Sequence, residues 1–571
     1  MYIETVPNRN SRPAILLREG WREGKKIRKR TIANLTNWPN EKVEALRRLL
    51  KGERMVGVTE SFLIERSLPH GHVEAVVGTI KKIGLDKVIS SQRCRARDLV
   101  VAMISERLLN PCSKLATTRL WHTSTLAEEL EVADADEDEL YDAMDWLLGR
   151  QKRIEKKLAV RHLSEGDLVF YDVSSSYYEG RKCPLAFFGH DRDGKKGKLI
   201  IVYGLLTDRE GRPVAVEVYP GNTGDPTTVP DQVDKLRNRF GFQRVVLVGD
   251  RGMLTQTQID KLKEYPGIGW ISALRSRAIR KLANDGNLQM SLFDEQNLAE
   301  ISSAEFPGER LIACYNPLLA GERKRKREKL LAATEKELEK IVRQVARRTK
   351  TPLNKVEIGK KVGKVINRFK VGKHFKVVIE EGAFSFERDE ERIRRESELD
   401  GIYVIRTNES ENRISAEDTV RSYKNLEKVE SAFRCMKGLD LLIRPIFHRT
   451  EDHVKAHIFL CMLAYYVEWH MRQALAPLLF QDEKLDEHRR ERDPVKPAQP
   501  SEFIKRKKTL RLTPDGFKIH SFRTLLAELA TRCRNKCRLE HDHTGPVFYQ
   551  VTEATHLQKR AFQLLGLFPV K

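Results

Sequence analysis

Asp172 closes one hydrophobic run (LVFYDVSSSYYEG) and Asp250 closes another (RVVLVGDRG), while Glu430 lies in a stretch with helical spacing (YKNLEKVESAFRCMKGL). An aspartate at the end of a buried strand can turn its carboxylate into a cleft while the strand stays fixed. A glutamate on a packed helix can complete that cleft from one side. Three carboxylates gathered in this way repel one another unless a divalent cation sits among them. Mg²⁺ suits such a site because it prefers hard oxygen ligands and keeps water positions open for a substrate phosphate. Two such ions can clamp the attacking and leaving oxygens of an in-line phosphoryl transfer. The constellation points to a metal-dependent enzyme acting on nucleic acid, with Mn²⁺ able to substitute.

The elements that must hold these residues follow from the change of period along the chain. Residues 71–162 repeat apolar positions at spacings of three and four (VEAVVGTIKKIG, ARDLVVAMISERLL, LYDAMDWLLGRQKRIEKKL), which predicts helices. From Asp167 the pattern becomes that of strands: LVFYD, KLIIVYGLLT and RPVAVEVYP, with REGR as the turn between the last two. A helix (VPDQVDKLRNRF), a strand (VVLVGD), a second helix (TQTQIDKLKEY) and a strand (IGWISALR) come next. Three strands in series, then helices alternating with strands, is the order of a ribonuclease H-like core, in which the first and fourth strands bring their acidic residues side by side. After Arg275 this core is interrupted by a basic segment, and GIYVIRTN resumes it at Gly401. The predicted fold class is a multidomain α/β chain with a ribonuclease H-like catalytic core, a large insertion and a helical N-terminal region. The expected divisions are 1–70, a small β/α domain with a helix from about Asn40; 71–162, helical and able to bind DNA; and 163–275, the first part of the core. They continue with 276–399, the basic insertion; 400–480, the second part of the core with the Glu430 helix; and 481–571, a linker and a helical tail. No internal repeat is apparent.

Charge names the partner. The 571 residues carry a formal net charge of +23, unevenly spread. Residues 1–60 hold 14 Lys+Arg against 7 Asp+Glu, and residues 321–376 hold 20 against 6. Phosphate backbones fit such a surface, and binding should weaken steeply with salt. The helix expected from Glu322 puts Arg323, Lys324, Arg325 and Lys326 forward as DNA contacts. A membrane-surface protein would need an amphipathic basic helix with a clean apolar face, and no convincing one is present. The eight cysteines are scattered as in a reduced, intracellular chain. No secretory signal opens the sequence, and the longest apolar stretch, Ile458 to Trp469, is too short to span a bilayer.

Other residues invite weaker readings. Cys533, Cys537, His541 and His543 have zinc-ligand chemistry, but their spacing fits no common zinc module and both cysteines fall in a helical run. His190, with Asp191 and Asp193, could touch a metal or phosphate, though a polar hairpin turn explains them. Asn222, Thr223 and Asp225 could lie at a cleft mouth, and a helix cap accounts for them adequately. Trp270 could stack on an unpaired base but reads better as core. No GxxxxGK[ST] loop is present to support ATP dependence.

Tyr423, Glu430 and Lys437 are seven apart and fall on one helical face, about 10 Å per step at the helical rise. In this and in the FYDVSSSYYEG, VLVGDRGML and RPIFHRTEDHVKAHIFLCMLAYYVE segments the chain resembles the DDE transposases of bacterial insertion sequences that carry a Tyr-Arg-Glu-Lys signature. The resemblance runs from about Asp167 to Arg472 and includes the long insertion, but Leu426 stands where the signature has Arg. It implies that Asp172, Asp250 and Glu430 are the catalytic, metal-binding triad and that Tyr423 and Lys437 contact phosphates near the cleaved end. Arg434, two turns beyond Leu426, could substitute in part for the missing Arg. The implied function is Mg²⁺-dependent cleavage of double-stranded DNA at element ends and transfer of the freed strand to a target. It would be carried out by a homodimer on DNA, in the cytoplasm and at the nucleoid. The alternatives are a transposase-derived DNA-binding protein that no longer cuts, and a ribonuclease H-like nuclease, which should not need so long a basic insertion.

Overall fold

The computed structural model describes residues 1–9, 11–53, 62–294, 296–496, 499–538 and 547–567. They divide into two units, one of Met1–Leu68 with Cys533–Thr552 and one of Pro69–Arg532 with Glu553–Lys571. The first unit opens with an antiparallel sheet of β1 (Tyr2–Val6), β2 (Ala14–Glu23) and β3 (Lys26–Asn34). Gly24 takes a φ of +65° in the two-residue turn between β2 and β3, a conformation glycine adopts without strain. A helix begins at Asn40, and β4 (Leu63–Pro69) follows.

In the second unit, residues 71–162 are helical, with their longest helices at Gly71–Lys82, Arg95–Leu109, Glu137–Leu148 and Gln151–His162. An eight-stranded mixed sheet then forms the centre. β5 (Leu168–Tyr177), β6 (Ile200–Thr207) and β7 (Pro213–Pro220) run antiparallel in series, while β8 (Val245–Val248) lies parallel to β5 and β9 (Ile268–Ala273) parallel to β8. Beyond β9 come β10 (Leu298–Ile301), β11 (Arg310–Tyr315), the separate hairpin of β12 (Phe375–Glu380) and β13 (Ala383–Arg388), and β14 (Ile402–Thr407). The central order is β10-β11-β14-β9-β8-β5-β6-β7. Every residue of β8 and of β9 is buried, as expected for strands covered on both faces. Helices Leu426–Lys437 and Glu451–Ala474 share one apolar cluster with Phe170, Val246 and Val248. Tyr171, Val245 and Leu247 point the other way, into a second cluster with the helical residues Val229, Ile259 and Ala159. Adjacent residues of one strand thus feed opposite cores.

Several sequence expectations need correction. The segment 276–399 is not wholly an insertion, because β10 and β11 extend the central sheet through β14. Only its later part, helices Pro317–Arg347 and Lys355–Phe369 with the β12–β13 hairpin, gathers a small core of its own. The basic helix starts five residues earlier than expected: Asn316 accepts from the backbone of Leu318 and Leu319, and Pro317 fills the first turn. Residues 481–510 contain helices Leu485–Glu491 and Glu502–Leu510 where a bare linker was expected. The tail is not all helix either. The helix Phe522–Ala530 stops, and Cys533 and Cys537 lie on β15 (Cys533–Arg538), between β4 and β16 (Phe548–Val551). Cys and Asn have little helical preference, and pairing with β4 and β16 overrides that of Arg and Lys. The first unit therefore includes a C-terminal segment as well as residues near the start of the chain.

Candidate active site

Register brings the two aspartates level. The parallel pairing of β5 with β8 ends at Phe170 opposite Val248. Asp172 and Asp250 each stand two residues further on, the strands being about 4.8 Å apart. Asp250 follows the end of β8 as expected, but Asp172 lies in the middle of β5, which continues to Tyr177. The strand period of two keeps Asp172 on the face of Phe170, the face that the 426–437 helix covers, and Asp250, past the end of β8, lies near enough to raise the Asp172 pKa. Each carboxylate has one oxygen held by local backbone. Asp172 Oδ1 accepts from the N–H of Val173 at 2.8 Å, and Asp250 Oδ1 accepts from Gly252 and Met253 at 3.0 and 2.7 Å. No described residue donates to either Oδ2.

Glu430 reaches the same place from a helix. Leu426, Val429, Phe433 and Met436 are buried at spacings of three, four and three, an apolar stripe that docks on β5 and β6. Phe433 packs edge-on to Tyr203 of β6, with ring centres 5.7 Å apart. Glu430, next to the stripe, is exposed. The predicted single helix is in fact two, Ala416–Lys424 and Leu426–Lys437, separated at Asn425, whose side chain accepts from Arg489. Tyr423 and Glu430 consequently sit on different helices. Leu426 is part of the buried stripe, so the signature Arg has no counterpart at the surface there. Arg434 is exposed and donates to Ser431.

Electrostatics links the three acids. Burial, followed by the nearby Asp250 and Glu430 carboxylates, pushes Asp172 up to about 7. Burial and the same two acids push the Tyr423 hydroxyl up to about 12. Around them lies a polar shell in which the sequence reading named Asp193, Asp225 and Lys437 but missed Arg192 and Arg444. Arg192 lowers Asp172 through its charge and is ion-paired with Asp225. The Asp193 side chain, only 1% exposed, accepts from the Tyr177 N–H, from Lys437 at 3.1 Å and from Arg444. Lys437 is thus held by a carboxylate, and burial lowers its affinity for its proton. The HDRD run from His190, in the loop between β5 and β6, was the available signal. His190 itself is exposed and gives only its carbonyl, to Ser175.

The remaining candidates lie elsewhere or in the core. Trp270 is buried. Thr223 closes a turn on Pro220, and Asn222 is exposed to solvent. Arg323, Lys324, Arg325 and Lys326 are exposed on the 317–347 helix, and none pairs with a described acid. Of the zinc candidates, His541 and His543 lie outside the described residues. Among the described residues, the one group of three whose ligand atoms all lie within 4.8 Å of one another is Cys435, Asp440 and Glu468. Arg472 occupies it, bonded to both carboxylates. The carboxylates of Asp172, Asp250 and Glu430 are more widely spaced.

With this geometry, comparison with known proteins becomes informative. A family model described as transposase DDE domain matches residues 180–467, which is 288 of the 571 residues. It contains Asp250 and Glu430 and begins eight residues after Asp172. A model for the N-terminal domain of IS1634 family transposases matches residues 3–57. No curated protein matches the chain. Among solved structures, a piggyBac transposase synaptic complex with hairpin DNA aligns over 80% of this chain and 76% of that one, at 9% identity and a TM-score of 0.33. That likeness is too distant to carry weight.

Proposed function

The chain belongs to the transposase DDE domain family, and we propose that it cuts and joins DNA through Asp172, Asp250 and Glu430. Transposase function follows from the family, as does DNA as the substrate and a divalent ion as the family's usual cofactor. The assignment of residues rests on one observation above the others. Asp172, in the middle of β5, and Asp250, just past the end of β8, each lie two residues beyond the paired Phe170 and Val248, and the Asp250 and Glu430 carboxylates are close enough to raise the Asp172 pKa. The strand order β7-β6-β5-β8-β9, numbered 3-2-1-4-5 within the series, supports a ribonuclease H-like core, and the segment between β9 and β14 supports an interruption of it.

The donor set fits Mg²⁺: oxygen ligands only, one oxygen of each aspartate uncommitted, and a charge repulsion that a cation relieves. When bound, the ion would activate the attacking water or 3′-hydroxyl and stabilise the leaving oxygen in an in-line displacement. The chain's own groups have other work. The β5 and β8 backbones fix the two aspartates, and the buried stripe of the 426–437 helix fixes Glu430. Tyr423, protonated at any working pH, offers a hydroxyl beside the acids. Lys437, Arg444 and Arg192 supply positive charge at the margin where DNA phosphates would lie. Joining both ends of an element needs two active sites, which a homodimer provides.

The test is nicking of labelled duplex with Mg²⁺ beside a gel-shift, using Asp172→Ala, Asp250→Ala and Glu430→Ala. Each should lose cleavage and keep DNA binding. Cleavage at the wild-type rate by any of them removes that residue from the triad. A wild-type protein that binds but never nicks would favour the non-cutting alternative.

A further inference from the structure

We infer that a basic cavity beside the cleft, built around Lys114 and Arg107, is a binding pocket for a phosphate group. The cavity has a volume of about 740 Å³ and lies between residues 107–114 and the segment 442–457. Lys114 is 4% exposed and Arg107 is 7% exposed. No described residue accepts a hydrogen bond from the Lys114 ammonium. Arg107 reaches only backbone carbonyls, those of Cys112, Leu441 and Leu442, at 3.4–3.5 Å. Arg444 and Arg449 line the same space, and Arg449 has no carboxylate within ion-pair distance among the described residues.

Compensating acids are scarce. Glu137 lines the cavity, and Glu106, next to Arg107, is pushed up to about 7 by its own burial. Burial and the Arg107 charge bring Lys114 down to about 7. Buried cations left without a counter-charge are costly, so a fold retains them together where an anion joins them. The 24-residue helix Glu451–Ala474 also presents its N-terminal end to this space, with Thr450 as its cap, which adds a positive pole. Several donors around one space suit a tetrahedral, multiply charged oxyanion better than a single carboxylate.

The phosphate could belong to a DNA backbone or be free in solution. Arg444 favours the backbone, because it lines the cavity, donates to the Lys437 carbonyl at 3.1 Å and pairs with Asp193. A strand entering the cleft would therefore have a neighbouring phosphate within reach of the pocket. That choice of source rests on the proposed role of the cleft. The pocket does not.

The full-length protein provides the test, with no cleavage assay involved. Melting is measured in sodium phosphate and in sodium chloride at matched ionic strength, for wild type, Lys114→Gln and Lys114→Arg. Phosphate also stabilises proteins by exclusion, so the quantity read is the difference between variants. Wild type and Lys114→Arg should gain several degrees more than Lys114→Gln. In chloride, Lys114→Gln should melt at or above wild type, since it sheds an uncompensated charge. Duplex binding is then followed against salt, and Lys114→Gln should lower the log–log slope by about 1. Loss of the phosphate gain with an unchanged slope keeps the pocket and assigns it to free phosphate. An undiminished gain together with an unchanged slope overturns the proposal. So does a Lys114→Gln protein that melts well below wild type in chloride and still responds to phosphate, which is the behaviour of a structural lysine.

Discussion

The acidic cleft and the basic 317–347 helix are built on opposite principles. In the cleft, each carboxylate stands where one backbone puts it: Asp172 and Asp250 by β5 and β8, Glu430 by a helix docked along five buried residues. The basic helix has its buried residues, Leu331, Thr334, Leu338, Ile341 and Val345, in its C-terminal half only. Its anchoring pairs begin at Arg327 with Asp400 and continue through Glu328 and Glu335 with Arg388. The four charges before that point, Arg323 to Lys326, are exposed and unpaired among the described residues. A site that reacts at one phosphorus atom needs geometry, whereas a surface that holds a polyanion needs only charge density. The cleft should fail all at once and the helix by increments.

The largest effect should come from the cleft. Asp172→Asn keeps shape and hydrogen bonding but removes the carboxylate whose charge burial, Asp250 and Glu430 oppose. Cleavage should fall by at least about a thousandfold, while the melting temperature of the metal-free protein rises. Mg²⁺ should raise the melting temperature of wild type more than that of the variant, because the variant lacks a ligand. Calorimetry with EDTA and with Mg²⁺ checks both statements. A variant that is less stable without metal would show that Asp172 serves the fold.

Next in size is Leu426→Arg, which places the family's residue into the buried stripe. Leu426 is 9% exposed and packs in the main core. Burying an unpaired guanidinium there should cost about 3 kcal/mol or more. Melting should drop by several degrees and cleavage should weaken with it. A variant as stable as wild type that binds DNA more tightly would mean that the helix can rotate to present this position to phosphate.

Legibility in the sequence follows the same division. Asp172 and Asp250 could be found because each closes an uninterrupted apolar run, although the polar VSSSY stretch that follows Asp172 hid the fact that β5 continues to Tyr177. The burial of Leu426 was readable from its neighbours at three and four. The break at Asn425 was not, since one turn residue inside a periodic stretch leaves the period intact. Arg192 and Arg444 were missed, and Asp193 was read as a hairpin-turn residue, because loops carry no period and the meeting of Asp193 with Arg444 and Lys437 depends on long-range contact. Lys114 was missed for a related reason. On a sequence it reads as one more surface lysine in a basic chain, and only packing reveals that it is buried. The start of the basic helix at Pro317 was legible in the Asn-Pro pair, but the run of charge six residues later drew the boundary toward itself.

Neutralising Arg323, Lys324, Arg325 and Lys326 together should reduce the salt slope of duplex binding by up to about 3.5, at roughly 0.9 for each phosphate that the helix no longer neutralises. Melting should hardly change, because the four make no ion pair with a described acid and lie before the buried half of the helix. A lower melting temperature with an unchanged slope would recast the segment as a solvated part of the 317–386 core.

The smallest predicted effect is also the sharpest test of the contrast. A single Arg325→Gln should lower the slope by no more than about 0.9 and leave the nicking rate at saturating DNA unchanged. If the helix works by charge density, Lys324→Gln should do about the same, and the double variant should give the sum. Exposed charges on one helix share no buried partner and no cavity, so the conditions for additivity hold. Suppose instead that Arg325→Gln alone removed most of the slope, or lowered the saturated nicking rate. One guanidinium would then be fixed on one phosphate, with the same dependence on position as the cleft carboxylates. The helix would have to be counted as part of the active site's geometry, and the division between the two regions would fall.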